Sequence, residues 1–309
     1  MSDKQRLVTR SDMDGLVSAV LLREAGLVDE ISFVHPKDMQ DGLVEVTGRD
    51  ILTNLPYAAG AHLVFDHHFS EKLRNPITPD NHIIDPNAPS ASRVVYDYFG
   101  GEDRFPSRWD DMMAAVDKAD AAMFTLEDVL EPKGWELLSF LMDARTGLGR
   151  FHDFRVSNYQ LMMQLIDYCA EHGIEEILEL PDVKERIDLY FGYEERFKDQ
   201  ITRCSEIHDN LLVLDLREEA TIWPGNRFMV YAMHPELNIS MHVIWGKQQQ
   251  NVAFPVGKSI FNRSSRTNVG ELMLAYGGGG HVNAGTCQVA TEDAEVTKLE
   301  LIGKILADG

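Results

Sequence analysis

Residues 50–68 read DILTNLPYAAGAHLVFDHH, and the two apolar runs inside that stretch decide the fold. Asp50-Ile51-Leu52-Thr53 and His62-Leu63-Val64-Phe65 are short and apolar, and each stops on polar residues: Asn54 after the first, Asp66-His67-His68 after the second. Runs of this kind, bounded by turn residues, predict buried strands. Upstream, Arg6-Leu7-Val8 predicts a strand entering a turn. Leu16 to Glu24 has helical apolar spacing through Leu16, Val17, Val20 and Leu21, and Ile31–Val34 predicts another strand. Strands alternating with helices give an α/β fold with a mainly parallel sheet, which binds ligands beyond the carboxyl ends of its strands. The chain places Asp12 and Asp14, Asn54, and Asp66-His67-His68 there.

From Trp109 to about Arg203 the pattern is predominantly helical, closing on the charged amphipathic run KERIDLYFGYEERFKDQITR. From Asn210 the texture changes to short β-like runs (LLVLDL, RFMVYAM, NISMHVIW, NVAFPV), then a helix-like GELMLAY and a GGGGH loop. This predicts a larger N-terminal domain over 1–185, a helical connector over 186–208, and a smaller α+β domain over 209–309. The last has an ordinary domain size.

Composition narrows the function. The 309 residues are 44% hydrophobic and 26% charged, as in a globular protein. No apolar run approaches the ~18 residues that span a bilayer. The opening MSDKQRLVTRSDMDG lacks an apolar leader core, so a cytoplasmic protein with no membrane partner is expected. Cys169, Cys204 and Cys287 have no CxxC spacing and are expected to be reduced. A net charge of −21 argues against long duplex nucleic acid, whose binding rests on neutralising phosphates with Lys and Arg. A small anion needs only a local positive site, which divalent metals supply.

Four constellations can carry chemistry. Asp12-Met13-Asp14-Gly15 brings two carboxylates into one tight turn, fit for a hard cation; an acidic helix N-terminus is the competing reading. In Asp66-His67-His68 one imidazole can ligate metal and the other face substrate, with Asp66 orienting a ring. In AAVDKADAAMF a buried carboxylate needs a partner or a metal. Asp117 is expected to face solvent beside Lys118, which leaves Asp120 as the ligand candidate. In AYGGGGHVNAGT four glycines let backbone N–H groups approach an anion, with His281 following. The locally basic Lys258, Asn262, Arg263 and Arg266 precede it, and Arg263 can grip a phosphate with two parallel donors.

SDMDGLVSA, LTNLPY, FDHHFS, DKADAAMF and GGGGHVNAG occur in this order along nearly the whole chain. Together they resemble the DHH/DHHA1 phosphoesterase family, which includes RecJ-like nucleases, nano-RNA and pAp phosphatases and exopolyphosphatase-like proteins. The resemblance implies a metal-binding DHH domain, cofactor Mn²⁺ (Mg²⁺ and Co²⁺ as alternatives), and a DHHA1 domain that closes over substrate. By motif position it implies Asp12, Asp14, His67 and Asp120 as metal ligands and His68 as a phosphate contact. Arg263, Asn262, Gly278, Gly279, Gly280 and His281 fall on its substrate-binding side. Two departures stand out. Val8-Thr9-Arg10 lies where many members carry a metal-binding His, and Asn54 stands where the family has an aspartate bridging two metals. One ion at Asp14, His67 and Asp120 is therefore expected, with a second, at Asp12 and Asn54, in doubt.

The resulting expectation is a metal-dependent phosphoesterase acting through metal-activated water on a short single-stranded oligonucleotide, a nucleotide or another small phosphorylated compound. Asp66 and His68 are its catalytic pair, and homodimerisation is left open. The alternative is a degenerate relative that binds a nucleotide as a sensor with little turnover.

Overall fold

The computed structural model describes residues 4–68, 71 and 77–309; Phe69 and Ser70, the end of the FDHHFS motif, lie outside them. The chain divides into two compact units, the first of residues 1–124 and 132–189, the second of residues 125–131 and 190–309. The division at Leu189/Tyr190 falls within the segment read as a connector. That segment takes in the end of the helix Pro181–Gly192, the helix Glu194–Cys204 and the strand Ser205–His208.

The first unit is organised by a five-stranded sheet of β1 (Gln5–Thr9), β2 (Val28–Phe33), β3 (Asp50–Thr53), β4 (Leu63–Asp66) and β5 (His82–Ile84), in the order β2-β1-β3-β4-β5. Every pairing is parallel, with Leu7 opposite Ile51, Leu52 opposite Val64 and Thr53 opposite Phe65. All four residues of β3 are buried, which is why its sequence shows an unbroken apolar run rather than alternation. The chain leaves β1 toward one edge of the sheet and returns to the other side of it at β3. The carboxyl ends of β1 and β3 therefore flank a topological switch point, where open α/β sheets bind ligands. Arg10 to Asp12 follow β1, and Asn54 follows β3.

Helix α1 (Met13–Glu24) starts directly after that turn, with Asp12 as its N-cap, and buries every residue from Met13 to Leu22. A helix apolar on all sides belongs between other elements. α1 packs on β2, on α2 (Ala91–Tyr98), on α3 (Asp110–Asp120) and on the helix Asn158–Glu171. Gly15 is required here, because a Cβ at this position would stand 1.9 Å from the Arg10 carbonyl oxygen. Among the described residues no helix is long and apolar enough to cross a membrane.

The second unit holds a mixed six-stranded sheet, β6 (Ser205–His208), β7 (Leu211–Asp215), β8 (Ile239–Trp245), β9 (Val252–Lys258), β10 (Gly279–His281) and β11 (Ala284–Val289), ordered β10-β11-β9-β8-β7-β6. β7 and β8 are parallel and the other pairs antiparallel. Its core gathers Leu211, Ile239, Met241, Phe254, Leu301 and Ile305. Two expectations need correction. RFMVYAM is not a strand; Met229–Met233 is a helix, since a short, wholly apolar run has no period to separate the two. The end of GGGGH is not a loop either, because Gly279–His281 forms the edge strand β10.

Candidate metal centre

Asp14, in the first turn of α1, is 2% exposed. The N-terminus of α2 clamps it: the Ala91 N–H donates to Asp14 Oδ2 at 3.1 Å and the Ser92 N–H to Oδ1 at 2.7 Å. The Ser92 hydroxyl donates to the Asp14 carbonyl at 2.7 Å. These backbone donors, unsatisfied within their own helix, and the helix dipole favour a carboxylate there. His67 follows β4. Its Nδ1 lies 3.2 Å from the Ala88 carbonyl oxygen; a carbonyl can only accept, so Nδ1 carries a hydrogen, and once the ring is neutral its lone pair lies on Nε2. Nε2 lies 2.9 Å from Oδ2 of Asp120 at the end of α3. It is nonetheless buried without a hydrogen-bond partner of good geometry.

The ligand atoms of Asp14, His67 and Asp120 all lie within 4.8 Å of one another. Two carboxylates and one imidazole, converging with a buried ring nitrogen unspent, fit a divalent cation of the manganese or magnesium kind. The electrostatics agree. Burial, with the charge of Asp120 beside it, pushes Asp14 up to about 7. For His67 burial acts downward, but Asp120, Asp14 and Asp66 outweigh it and raise the ring to about 9. Burial also opposes ionisation of Asp120, yet His67 holds it below the usual carboxylate range. The cluster is short of positive charge, and protons fill the deficit that a cation would satisfy.

Asp66, fully buried at the end of β4, directs one oxygen at its neighbours. Oδ1 accepts the N–H groups of His67 at 2.8 Å and His68 at 3.2 Å, and lies 2.6 Å from His68 Nδ1. A carboxylate only accepts, so His68 is held as the Nδ1–H tautomer, leaving Nε2 as the acceptor of the neutral ring. Asp66 Oδ2 has no partner among the described residues.

The remaining predicted residues of this unit stand apart from the triad. Asp12 lies outside it: Oδ1 accepts the Gly15 N–H at 3.0 Å as the α1 cap, and Oδ2 pairs with Arg10 Nε at 3.2 Å. Asn54 takes a left-handed φ of 56° and is 1% exposed; neither its amide nitrogen nor its amide oxygen has a partner among the described residues. Asp117, expected to face solvent, does not. It receives Arg93 through Nε at 2.9 Å and Nη2 at 2.6 Å and the Ser90 hydroxyl at 2.7 Å, because the i−3 position from Asp120 turns it toward α2. Lys118 instead pairs with Glu136 at 2.7 Å.

Sequence reasoning missed two arginines. Arg10 was read only as the absence of a histidine, yet it lies within electrostatic reach of Asp120. Arg145, in the 3-10 turn Ala144–Thr146, donates from Nε to both carboxylate oxygens of Asp143 and lies within electrostatic reach of both Asp12 and Asp120. Its signal would have been the DAR sequence ending a buried helix.

In the second unit, Asn262 shapes its own turn, accepting the Ser264 hydroxyl at 2.7 Å and donating to the Glu236 carbonyl at 2.9 Å. Arg263 is exposed and donates from Nε to the Ile260 carbonyl at 3.1 Å. Lys258 Nζ donates to the Ser265 carbonyl at 3.2 Å, and Arg266 is exposed. The glycines of the run differ from one another. A Cβ on Gly278 would meet the Thr286 carbonyl oxygen at 2.2 Å, and one on Gly280 the Ala284 oxygen at 2.3 Å, whereas a Cβ on Gly279 meets nothing within 4 Å. His281 is exposed at the end of β10. Packing of the hairpin thus explains two of the glycines, and Gly279 is left open.

No protein-family model and no curated relative matches the chain. Solved structures do. The chain is similar, at 61% identity over 99% of its length and 100% of the other, to PggH of Vibrio cholerae, described as a pGpG-specific phosphodiesterase, with a TM-score of 0.82. It shares its fold with an exopolyphosphatase-related protein of Bacteroides fragilis (12% identity, 98% of this chain and 92% of that one, TM-score 0.53). It also shares it with RecJ of Thermus thermophilus in complex with Mn²⁺ (14% identity, 98% of this chain and 52% of that one, TM-score 0.56).

Proposed function

The chain belongs to the DHH/DHHA1 phosphoesterase family and is a phosphoric-ester hydrolase; from that premise we propose that it cleaves the dinucleotide pGpG, or a short oligonucleotide like it, with one Mn²⁺ ion. The observation that carries the metal part is the convergence of Asp14, His67 and Asp120. The substrate part is supported by the 61% identity with a pGpG-specific phosphodiesterase along the full chain.

Asp14, His67 and Asp120 would hold the ion. Once bound, a divalent cation lowers the pKa of water and polarises a phosphoryl oxygen. Asp66 fixes the His68 ring through Nδ1–H, so that the doubly protonated ring can donate from Nε2–H to a phosphoryl oxygen without reorganising. Ala91 and Ser92 keep Asp14 from turning away, and the Ala88 carbonyl keeps the His67 lone pair on Nε2. In the second unit, Arg263, His281 and the backbone at Gly278–Gly280 are the proposed substrate contacts. Gly279 is the glycine whose missing side chain the protein itself does not require, so a ligand oxygen can approach the backbone there. Asn262 supports the turn that carries Arg263. A dinucleotide suits the acidic surface, because its few phosphates need only local positive charge.

Mixing the full-length protein with pGpG and Mn²⁺ should release mononucleotides. EDTA should stop the reaction, and oligonucleotides of ten or more residues should be poor substrates. Equal rates on pGpG and on long strands would overturn the substrate assignment.

A further inference from the structure

The site as described has one cluster of cation ligands but must neutralise a phosphodiester that spreads its negative charge over two non-bridging oxygens. A second positive group already stands at the switch point. Arg10 follows β1, is half-buried, and pairs through Nε with Asp12 Oδ2 at 3.2 Å. Its two terminal nitrogens have no partner among the described residues. Asp12 cannot easily become a ligand for a further cation, because its other oxygen caps α1 and this one faces the guanidinium. At the end of the neighbouring strand, Asn54 contributes a buried, uncharged and unpartnered amide in place of a carboxylate. Neither position offers a free anionic group to a second metal ion, and Arg10 adds a permanent positive charge.

We propose that Arg10 is a catalytic residue: held through Nε by Asp12, it binds the non-bridging oxygens of the scissile phosphate with its two terminal nitrogens and supplies the second positive charge of a one-metal site. A guanidinium suits this role because its planar fork matches two phosphate oxygens and it stays charged at every working pH. Asp12 holds the guanidinium as an ion pair at its Nε edge and leaves the four terminal N–H groups for substrate. The electrostatic reach from Arg10 to Asp120 places its charge close to the metal ligands. This inference rests on the one-ion reading above, and the test separates the two.

The test uses calorimetric titration of the full chain with Mn²⁺ alone, and separately of the EDTA-treated, metal-free protein with pGpG. Wild type should take up one Mn²⁺; zero or two would overturn the one-ion reading whatever Arg10 does. Arg10→Gln should keep one Mn²⁺, bound at least as tightly because a neighbouring positive charge is gone. It should also lose about tenfold or more in pGpG affinity without metal, as expected for hydrogen bonds to a charged group. Arg10→Lys keeps the charge without the fork and should fall between the two; it decides the matter if Arg10→Gln fails to fold by circular dichroism. Were Arg10 only the counter-ion of Asp12, stability would drop while pGpG affinity stayed within about twofold of wild type. That result would overturn the proposal.

Discussion

Asp12 and Asp14 stand two residues apart in one turn, carry the same carboxylate and differ in everything the fold does with them. Asp12 is the N-cap of α1 and the partner of Arg10, so both of its oxygens are committed to the protein. Asp14 is buried between α1 and the first N–H groups of α2, and it joins His67 and Asp120. The difference follows from helical geometry. The cap residue still lies in extended backbone with its side chain folded over the helix end, whereas Asp14, inside the first turn, points to the neighbouring helix. On the function proposed above, the pair of acids divides into one ligand and one helix cap, and the cap doubles as the anchor of a guanidinium.

The sharpest way to break this contrast is to neutralise each acid in turn and measure kcat/KM on pGpG. Asp14→Asn should cost roughly a thousandfold or more, because it removes a charged ligand and with it several kcal/mol of transition-state stabilisation. Gly15→Ala strikes both acids at once. Its Cβ would overlap the Arg10 carbonyl, so the turn must shift, lowering stability by about 1–3 kcal/mol in a denaturant titration. A mutant as stable as wild type would show that the turn is looser than described.

Next in size is the pH dependence of Mn²⁺ uptake. His67 and Asp14 are protonated below about 9 and about 7 respectively in the metal-free protein, and the metal must displace those protons. Mn²⁺ affinity should therefore rise as pH is raised, by about tenfold per unit between 7 and 9 and more steeply below 7. A flat profile would remove Asp14, His67 and Asp120 from the metal site. The smallest effect belongs to Asp12→Asn. Asparagine caps a helix as well as aspartate does, so only the grip on Arg10 is lost, and about tenfold in kcat/KM is expected with the Mn²⁺ count unchanged.

The parallel sheet was readable because its central strands are buried on both faces. Asp50–Thr53 shows the same bounds in sequence and structure, and Asn54 and Asp66-His67-His68 sit at strand ends where a parallel sheet collects its site. The grouping of Asp14 with Asp120 came from the ordered motifs, since no local spacing links residues so far apart. β5 was missed because His82–Ile84 has only three residues, too few to show a period. The clamp on Asp14 was invisible for a different reason: Ala91 and Ser92 act through backbone N–H groups, which leave no mark in side-chain chemistry. Asp117 was misjudged because its partner Arg93 lies on another helix. The four glycines were legible as a run but not as individuals, since which of them is crowded depends on the pairing of β10 with β11.

Counting the ions tests the central claim most directly. Titration of the wild-type protein with Mn²⁺, together with anomalous diffraction at the manganese edge, should show one ion per chain, lying among Asp14, His67 and Asp120. Two ions, with the second held by Asp12 and Asn54 and Arg10 displaced from its carboxylate, would contradict it.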